Sequence, residues 1–429
     1  MRPEAMSEVQ LGRGDEERLW RWLRWEEAPD FFEVGRTAWM KLREPVPHPT
    51  VEGLTLTGAK VKGIGLWSGD GPPRPTDGEE EYLDALEQPH FGIDGDGRYV
   101  ERLSAMAPLG GMVLSRALLE YENTQRLLER SVPALVPYAV FRNERRYGSE
   151  PLAVVVTLSS EATPFRAKVL IASREAIGSR EERAYRLRGE RALGLDASLS
   201  SPEGLAAGFT ALAGQTGVAI RGMTEAGLYR YSGSLANFQY CTAWKRLLLT
   251  DLDSTHELSE LEPEARGIEI LRDVASAVHK IVEAIFLHPQ LLRDAGLLRL
   301  TEADPILAFL RAYFADLPLR AVRRAGNLIW AFTIPITTEV DRRRRAAGPN
   351  WPRDRRKMNP VDKWTLYALT MMVCQPLLAT SSLAELGIAS RGQVGLESAL
   401  PLVGDGAVFL RWAESQLSPT TPRSRPAPR

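Results

Sequence analysis

Cysteine, histidine and lysine are all scarce in this 429-residue chain. The two cysteines, Cys241 and Cys374, lie far apart and form no C-x-x-C pair, which excludes a disulfide framework and a cysteine-ligated zinc site and fits a reducing, cytoplasmic setting. The five histidines, His48, His90, His256, His279 and His288, never show the i, i+4 spacing of a metal-binding helix, and no G-x-S-x-G elbow is present. Long apolar runs are missing too. The N-terminal residues contain no leader-like apolar stretch, and "WTLYALTMMVCQPLLA" is short, polar-interrupted and broken by Pro376, so it is expected to be a buried helix rather than a membrane span. Nor does one sign of charge dominate: 54 Lys and Arg stand against 55 Asp and Glu, so nothing global points to nucleic acid or a membrane surface. Only eight of the basic residues are lysines, and two of these, Lys60 and Lys62, sit together in "GAKVKGIG". Lysine and arginine differ most where a compact point charge must reach a phosphate.

What is present has a clear order. Residues 1–33 read as a helical extension whose "EERLWRWLRWEE" carries Trp20, Trp22 and Trp25 at helical spacing, the pattern of a docking face. From 34 to 158 the texture is that of a β-rich lobe. "GRTAWMKLREPV" and "GLTLTGAKVKGIG" are predicted strands on either side of the turn chemistry in "PVPHPTVEG", and "EPLAVVVTLS" is a buried strand. Between them, "GGMVLSRALLEYENTQRLLERS" predicts a helix with Leu114, Leu118, Tyr121 and Leu128 broadly on one face, ending near Pro133. Residues 159–415 read as a larger, mainly helical lobe. It opens with a solvated, charge-mixed stretch at 174–198 and a helix capped by Ser201 and Pro202. "DRRRRAAGPNWPRDRRKMNP" is expected to be a solvated basic loop, and "SPTTPRSRPAPR", within 416–429, a disordered tail. A small β-rich part holding one helix, followed by a larger helical part, is the order of an α+β, bilobal, protein-kinase-like fold.

The stretch "LLLTDLDST" ends an apolar run on two acids, Asp251 and Asp253. Two chemistries use such a pair. In haloacid dehalogenase-type enzymes the first Asp is a nucleophile, whereas in kinase-like enzymes it holds the metal on the nucleotide phosphates. The first alternative gains "LVGDGAV" at 402–408 but requires alternating β-α units, and the sequence beyond Thr255 reads as helices. The second needs a strand lysine held by a carboxylate from a neighbouring helix. Lys60 and Lys62 point to the same side of a strand, and Glu120 or Glu122 can supply the carboxylate. "GIDGDGRYVE" is no calcium loop, because its sixth position from Asp94 is Tyr99 rather than Gly. The His-Arg-Asp of an ordinary protein kinase is absent, and "YSGSLAN" contains no Asp to act as base.

Taken together, "VKGIG", "DGDGRYVERLS", "LLEYENT" and "AGLYRYSGSLANFQY" resemble the selenoprotein O-like family of pseudokinase-fold protein adenylyltransferases over roughly residues 35 to 260. The resemblance implies Lys62 as phosphate lysine within Gly63 and Gly65, Glu120 as its partner and Arg98 as a phosphate contact. Arg166 is a further candidate at the nucleotide. Asn237, fourteen residues before Asp251, would be the metal asparagine, with Gln239 as the ungapped alternative, and Asp251 and Asp253 would complete the metal site. Ser232 stands where that family has a His, and its C-terminal selenocysteine or cysteine has no counterpart here. The implied activity is ATP- and Mg²⁺- or Mn²⁺-dependent transfer of AMP to a hydroxyl of a protein or small molecule, with no membrane or nucleic-acid partner. The alternatives are a nucleotide-binding scaffold and a phosphohydrolase using Asp251.

Overall fold

The computed structural model describes residues 1–76, 90–93, 99–102, 110–172, 177–230, 233–287, 304–348 and 360–387. Arg98, Ser232, His288, the "LVGDGAV" stretch and the C-terminal tail lie outside them.

A sheet lobe comes first. Its strands are β1 (Arg2–Met6), β2 (Gly35–Pro47), β3 (Thr55–Trp67), β6 (Val136–Tyr147) and β7 (Glu150–Ser159), antiparallel throughout in the order β1-β6-β7-β3-β2. A small separate hairpin pairs β4 (His90–Ile93) with β5 (Tyr99–Arg102). Helix α1 (Arg13–Leu23) covers one face of the large sheet, and helix α2 (Leu114–Glu129) the other. On the α1 face Leu19, Trp22 and Leu23 pack with Ala59, Val61, Val154 and Val156. On the α2 face Ala117, Leu114 and Leu118 pack with Val140, Ala153 and Val155. Alternate residues of β7 thus serve two cores, which is why its sequence is a continuous apolar run rather than an alternating one. The same alternation puts Ala59 and Val61 of β3 against α1 and turns Lys60 and Lys62 toward α2.

Two expectations for charged or terminal segments are corrected. Residues 1–33 are not wholly helical, because Arg2–Met6 adds an edge strand to β6, whose ladder would otherwise be left open. The stretch at 174–198 is not simply solvated. It holds helix α3 (Arg180–Leu193), begun by a capping box between Ser179 and Glu182 and stopped at Gly194 in the left-handed region, with Tyr185, Arg186 and Gly189 buried. Its charged residues hide a buried seam.

The helical lobe contains α4 (Pro202–Glu225), α5 (Pro263–Leu287), α6 (Pro305–Tyr313), α7 (Leu319–Ala347) and α8 (Pro360–Thr380). Ser201 caps α4 by accepting the Gly204 N–H at 3.1 Å, ahead of Pro202. Helix α7 runs on through "DRRRRAA", so the first part of the expected basic loop is helical; residues 349–359 fall outside the described set. Helix α8 is buried from Leu366 to Thr370 despite Pro376, and among the described residues no helix is long and apolar enough to cross a membrane. Two short antiparallel pairs lead into this lobe: β9 (Phe238–Cys241) with β10 (Arg246–Leu249), and β8 (Leu228–Tyr229) with β11 (His256–Glu257).

Candidate functional site

Strand β3 delivers both lysines to one carboxylate. Glu120, 1% exposed on α2, receives Lys60 Nζ at 3.0 Å on Oε1 and Lys62 Nζ at 2.7 Å on Oε2. Glu122, two positions along, is exposed.

From the other lobe, β10 ends at Leu249 and the chain turns sharply. Asp251 has φ +58°, a left-handed conformation that Asp tolerates better than most residues. Its Oδ1 lies 2.5 Å from Lys60 Nζ and 3.5 Å from Lys62 Nζ, and its Oδ2 lies 3.0 Å from Arg166. Asp253 Oδ1 meets Lys62 at 3.0 Å and its Oδ2 meets Arg36 of β2 at 3.2 Å. The turn is tied to α2 by Asn123, whose side-chain amide donates to the carbonyls of Leu252 (3.2 Å) and Thr255 (2.9 Å). Among these directly paired side chains four cations surround three carboxylates, with Asp251 and Arg36 only partly buried.

The electrostatics follow from this enclosure. Burial works against ionising Asp253, yet Lys62 and Arg36 outweigh it and hold the carboxyl down at about 2. Burial likewise opposes Asp251, and Arg166, Lys60 and Lys62 together push it well below the ordinary carboxylate range. For Lys62 burial disfavours the ammonium, but Asp253, Glu120 and Asp251 overcome it and raise the pKa above the usual lysine value. Asp251, Asp253 and Lys62 thus favour their charged forms because each faces opposite charge at close range.

Other candidates have different surroundings. Gly63 and Gly65 serve backbone packing. With φ +87°, Gly63 lies where a Cβ would come within 2.7 Å of the Ala153 carbonyl oxygen and 2.8 Å of Met112, and at Gly65 a Cβ would strike Trp25. Asn237 closes a 3₁₀ turn (Leu235–Asn237), and its carbonyl accepts the Thr250 N–H at 3.2 Å. Gln239 is buried and engaged elsewhere, accepting from Ser159 and donating to the Thr163 carbonyl at 2.7 Å.

Three participants were not anticipated from the sequence. Arg36 carries no local signal. Arg230 is buried, with burial lowering its pKa to about 10. It joins the two loops by donating to the carbonyls of Thr250 (2.7 Å) and Asn237 (3.3 Å), while its own N–H is accepted by Asp273 of α5 at 3.0 Å. Asp273 left only a weak trace, as one of several polar residues with Glu269, Arg272 and Ser276 in the helical stretch "IEILRDVASAV".

Among the described residues no set of three or more His, Cys, Asp and Glu converges as a metal cage. Asp251 and Asp253 are nevertheless ionised hard donors two residues apart. That suits a Mg²⁺- or Mn²⁺-type ion taking its remaining ligands from substrate phosphates and water.

No family model matches the chain, and no curated protein matches it. Among solved structures, "WaaP in complex with acyl carrier protein" aligns at 14% identity over 78% of this chain and 99% of that one, with a TM-score of 0.35. A score that low is too loose to assign a fold.

Proposed function

We propose that the chain is a kinase-like nucleotide-binding protein that transfers AMP from ATP to a hydroxyl. The observation that carries this reading is the ion pairing of strand lysines with Glu120 of α2, directly opposite Asp251. A strand lysine fixed by a helix glutamate and facing an acidic metal residue is how kinase-type sites hold nucleotide phosphates. The excess of cations over carboxylates among the directly paired side chains favours a polyanion.

In this reading Lys62 and Arg166 grip the phosphate chain, Glu120 orients the lysines, and Asn237, Asp251 and Asp253 hold Mg²⁺ or Mn²⁺, which supplies further neutralisation of phosphoryl charge. Lys60 is the second lysine at the site and contacts Asp251 itself. The acceptor oxygen attacks the α-phosphorus, a new P–O bond forms, the bond to the β-phosphate oxygen breaks, and the proton leaves with pyrophosphate or to water. The stretch from Leu228 to Asn237 offers no Asp as base, so rate enhancement rests on fixed cations and positioning. This absence, together with the resemblance to pseudokinase-fold adenylyltransferases, favours AMP transfer or a protein that only binds nucleotide over ordinary phosphorylation. A nucleotide-binding scaffold is the second reading, favoured by the closed state of the cluster, in which both Asp251 oxygens are already paired with cations.

Incubating the chain with Mg²⁺ or Mn²⁺ and ATP labelled separately at the α and γ phosphates, followed by intact mass measurement, tests the reading. Label from the α position alone is expected, on the chain itself or on a supplied hydroxyl compound. ATP binding without transfer supports the scaffold. Unchanged ATP and metal binding by Asp251→Ala overturns both readings.

A further inference from the structure

A second cavity lies in the helical lobe, away from the carboxylate cluster yet built on the same two short turns. It has a volume of about 500 Å³, within the range of small-molecule sites. Its walls are largely apolar: Val169 and Ile171 from the 3₁₀ turn Ala167–Ile171, Phe209 and Ala213 from α4, Leu235, and Ile281 from α5. The residue before the first turn is Arg166, which pairs with Asp251, and the second turn ends at Asn237, which is bonded to Thr250. A molecule seated here touches the elements that shape the acidic centre.

The charges around the cavity are unequal in their commitments. Glu182 Oε2 accepts the N–H groups of Gly178 and Ser179, both at 2.9 Å, and so serves the start of α3. Lys280 is paired with Glu283 at 2.7 Å. Lys168 is exposed, and among the described residues it makes no ion pair. One uncommitted cation beside apolar walls suits a ligand with an apolar body and a single anionic group.

We propose that this cavity binds an apolar small molecule carrying one anionic group, oriented by Lys168. The occupant is small because the volume is that of a small-molecule site. Gly233 fixes the neighbouring loop, since a Cβ there would come within 2.3 Å of the Ala277 backbone, so that wall sits flush on α5.

The probe is 1-anilinonaphthalene-8-sulfonate, which has apolar rings and one negative charge, titrated into the full chain by fluorescence without nucleotide. N-phenyl-1-naphthylamine serves as its uncharged counterpart. We expect one saturable site that prefers the anion by about two- to fivefold, the range an exposed ion pair supports. Lys168→Glu should abolish or reverse that preference. Ala213→Trp should fill the cavity and remove binding while ATP binding and the unfolding midpoint stay unchanged, and Ala284→Leu, from another wall, should weaken both probes if the tryptophan variant fails to fold. Saturable binding untouched by the wall variants, or an anion preference untouched by Lys168→Glu, overturns the proposal.

Discussion

Glu120→Gln isolates the interaction on which the site depends. The glutamine keeps the shape of the side chain and one acceptor oxygen, but removes the negative charge that faces both lysine side chains inside the lobe. Glu120 is 1% exposed and holds Lys60 and Lys62 at 3.0 and 2.7 Å, so the variant leaves four cations facing two carboxylates. Breaking a buried pair from one side costs about 3–5 kcal/mol. A retained neutral hydrogen bond returns about 1 kcal/mol, which leaves an expected loss of about 2–4 kcal/mol. That is a large part of a typical stability of about 5–15 kcal/mol. A chain of this length unfolding as one unit has a urea slope above the ~1–3 kcal/mol per M of small proteins, so the midpoint should fall by about 0.5–1 M. Glu122→Gln, on the exposed side of the same helix, is the control and should stay within about 0.5 kcal/mol of the parent. Equal losses for the two variants, or a change below about 0.5 kcal/mol for Glu120→Gln, would refute the view that this carboxylate holds the lysines.

Three further outcomes are expected. Gly63→Ala and Gly71→Ala impose nearly the same strain, with φ of +87° and +86°, but only the first also drives a Cβ into Ala153 and Met112, so it should cost about 1–3 kcal/mol more than the second in urea unfolding. For acid stability, the pKa of Asp253 is depressed from 3.8 to about 2, so its contribution is complete above the unfolded value and is lost as pH falls from about 4 to about 2. Urea midpoints should drop across that window, and Asp253→Asn should flatten the slope; an unaltered slope counts against the assigned pairing. Burial raises the Cys241 thiol to about 11 and pushes Cys374 up as well, so Ellman's reagent at pH 8 should modify neither until urea unfolds the chain. Modification of the native protein at the rate of a free thiol would contradict their buried placement.

Legibility in the sequence tracked how local each cause was. β2, β3 and β7 could be read because a period of two, or a run of β-branched residues, is visible over a few positions. β6 was obscured by Pro137 and by the charged second half of "VPYAVFRNERRY". β1 has no internal pattern at all, and "RPEAM" is a strand only because β6 offers it an edge. The period-two rule placed Lys60 and Lys62 on one side without choosing between them, and the structure uses both against the same glutamate. Arg36 and Arg166 reach the acidic pair through tertiary packing, across 217 residues in the case of Arg36 and Asp253, and no sequence period encodes such a pairing. The helix in the 180–193 stretch was hidden by charge, since its buried seam amounts to Tyr185, Arg186 and Gly189 among exposed neighbours.

The double coverage of the sheet has a consequence for how the chain matures. Lys60 and Lys62 have no watery face to retreat to, and they lie 60 and 58 residues before Glu120, with Lys60 191 residues before Asp251. As synthesis proceeds, the sheet can close once β7 has emerged at residue 159, but the lysines then have one carboxylate between them until the turn beyond β10 arrives. The early lobe is therefore completed by the late one. The two should melt together as one cooperative unit, and a fragment ending after β7 would keep a larger excess of positive charge at its centre, which Asp251 and Asp253 reduce in the full chain.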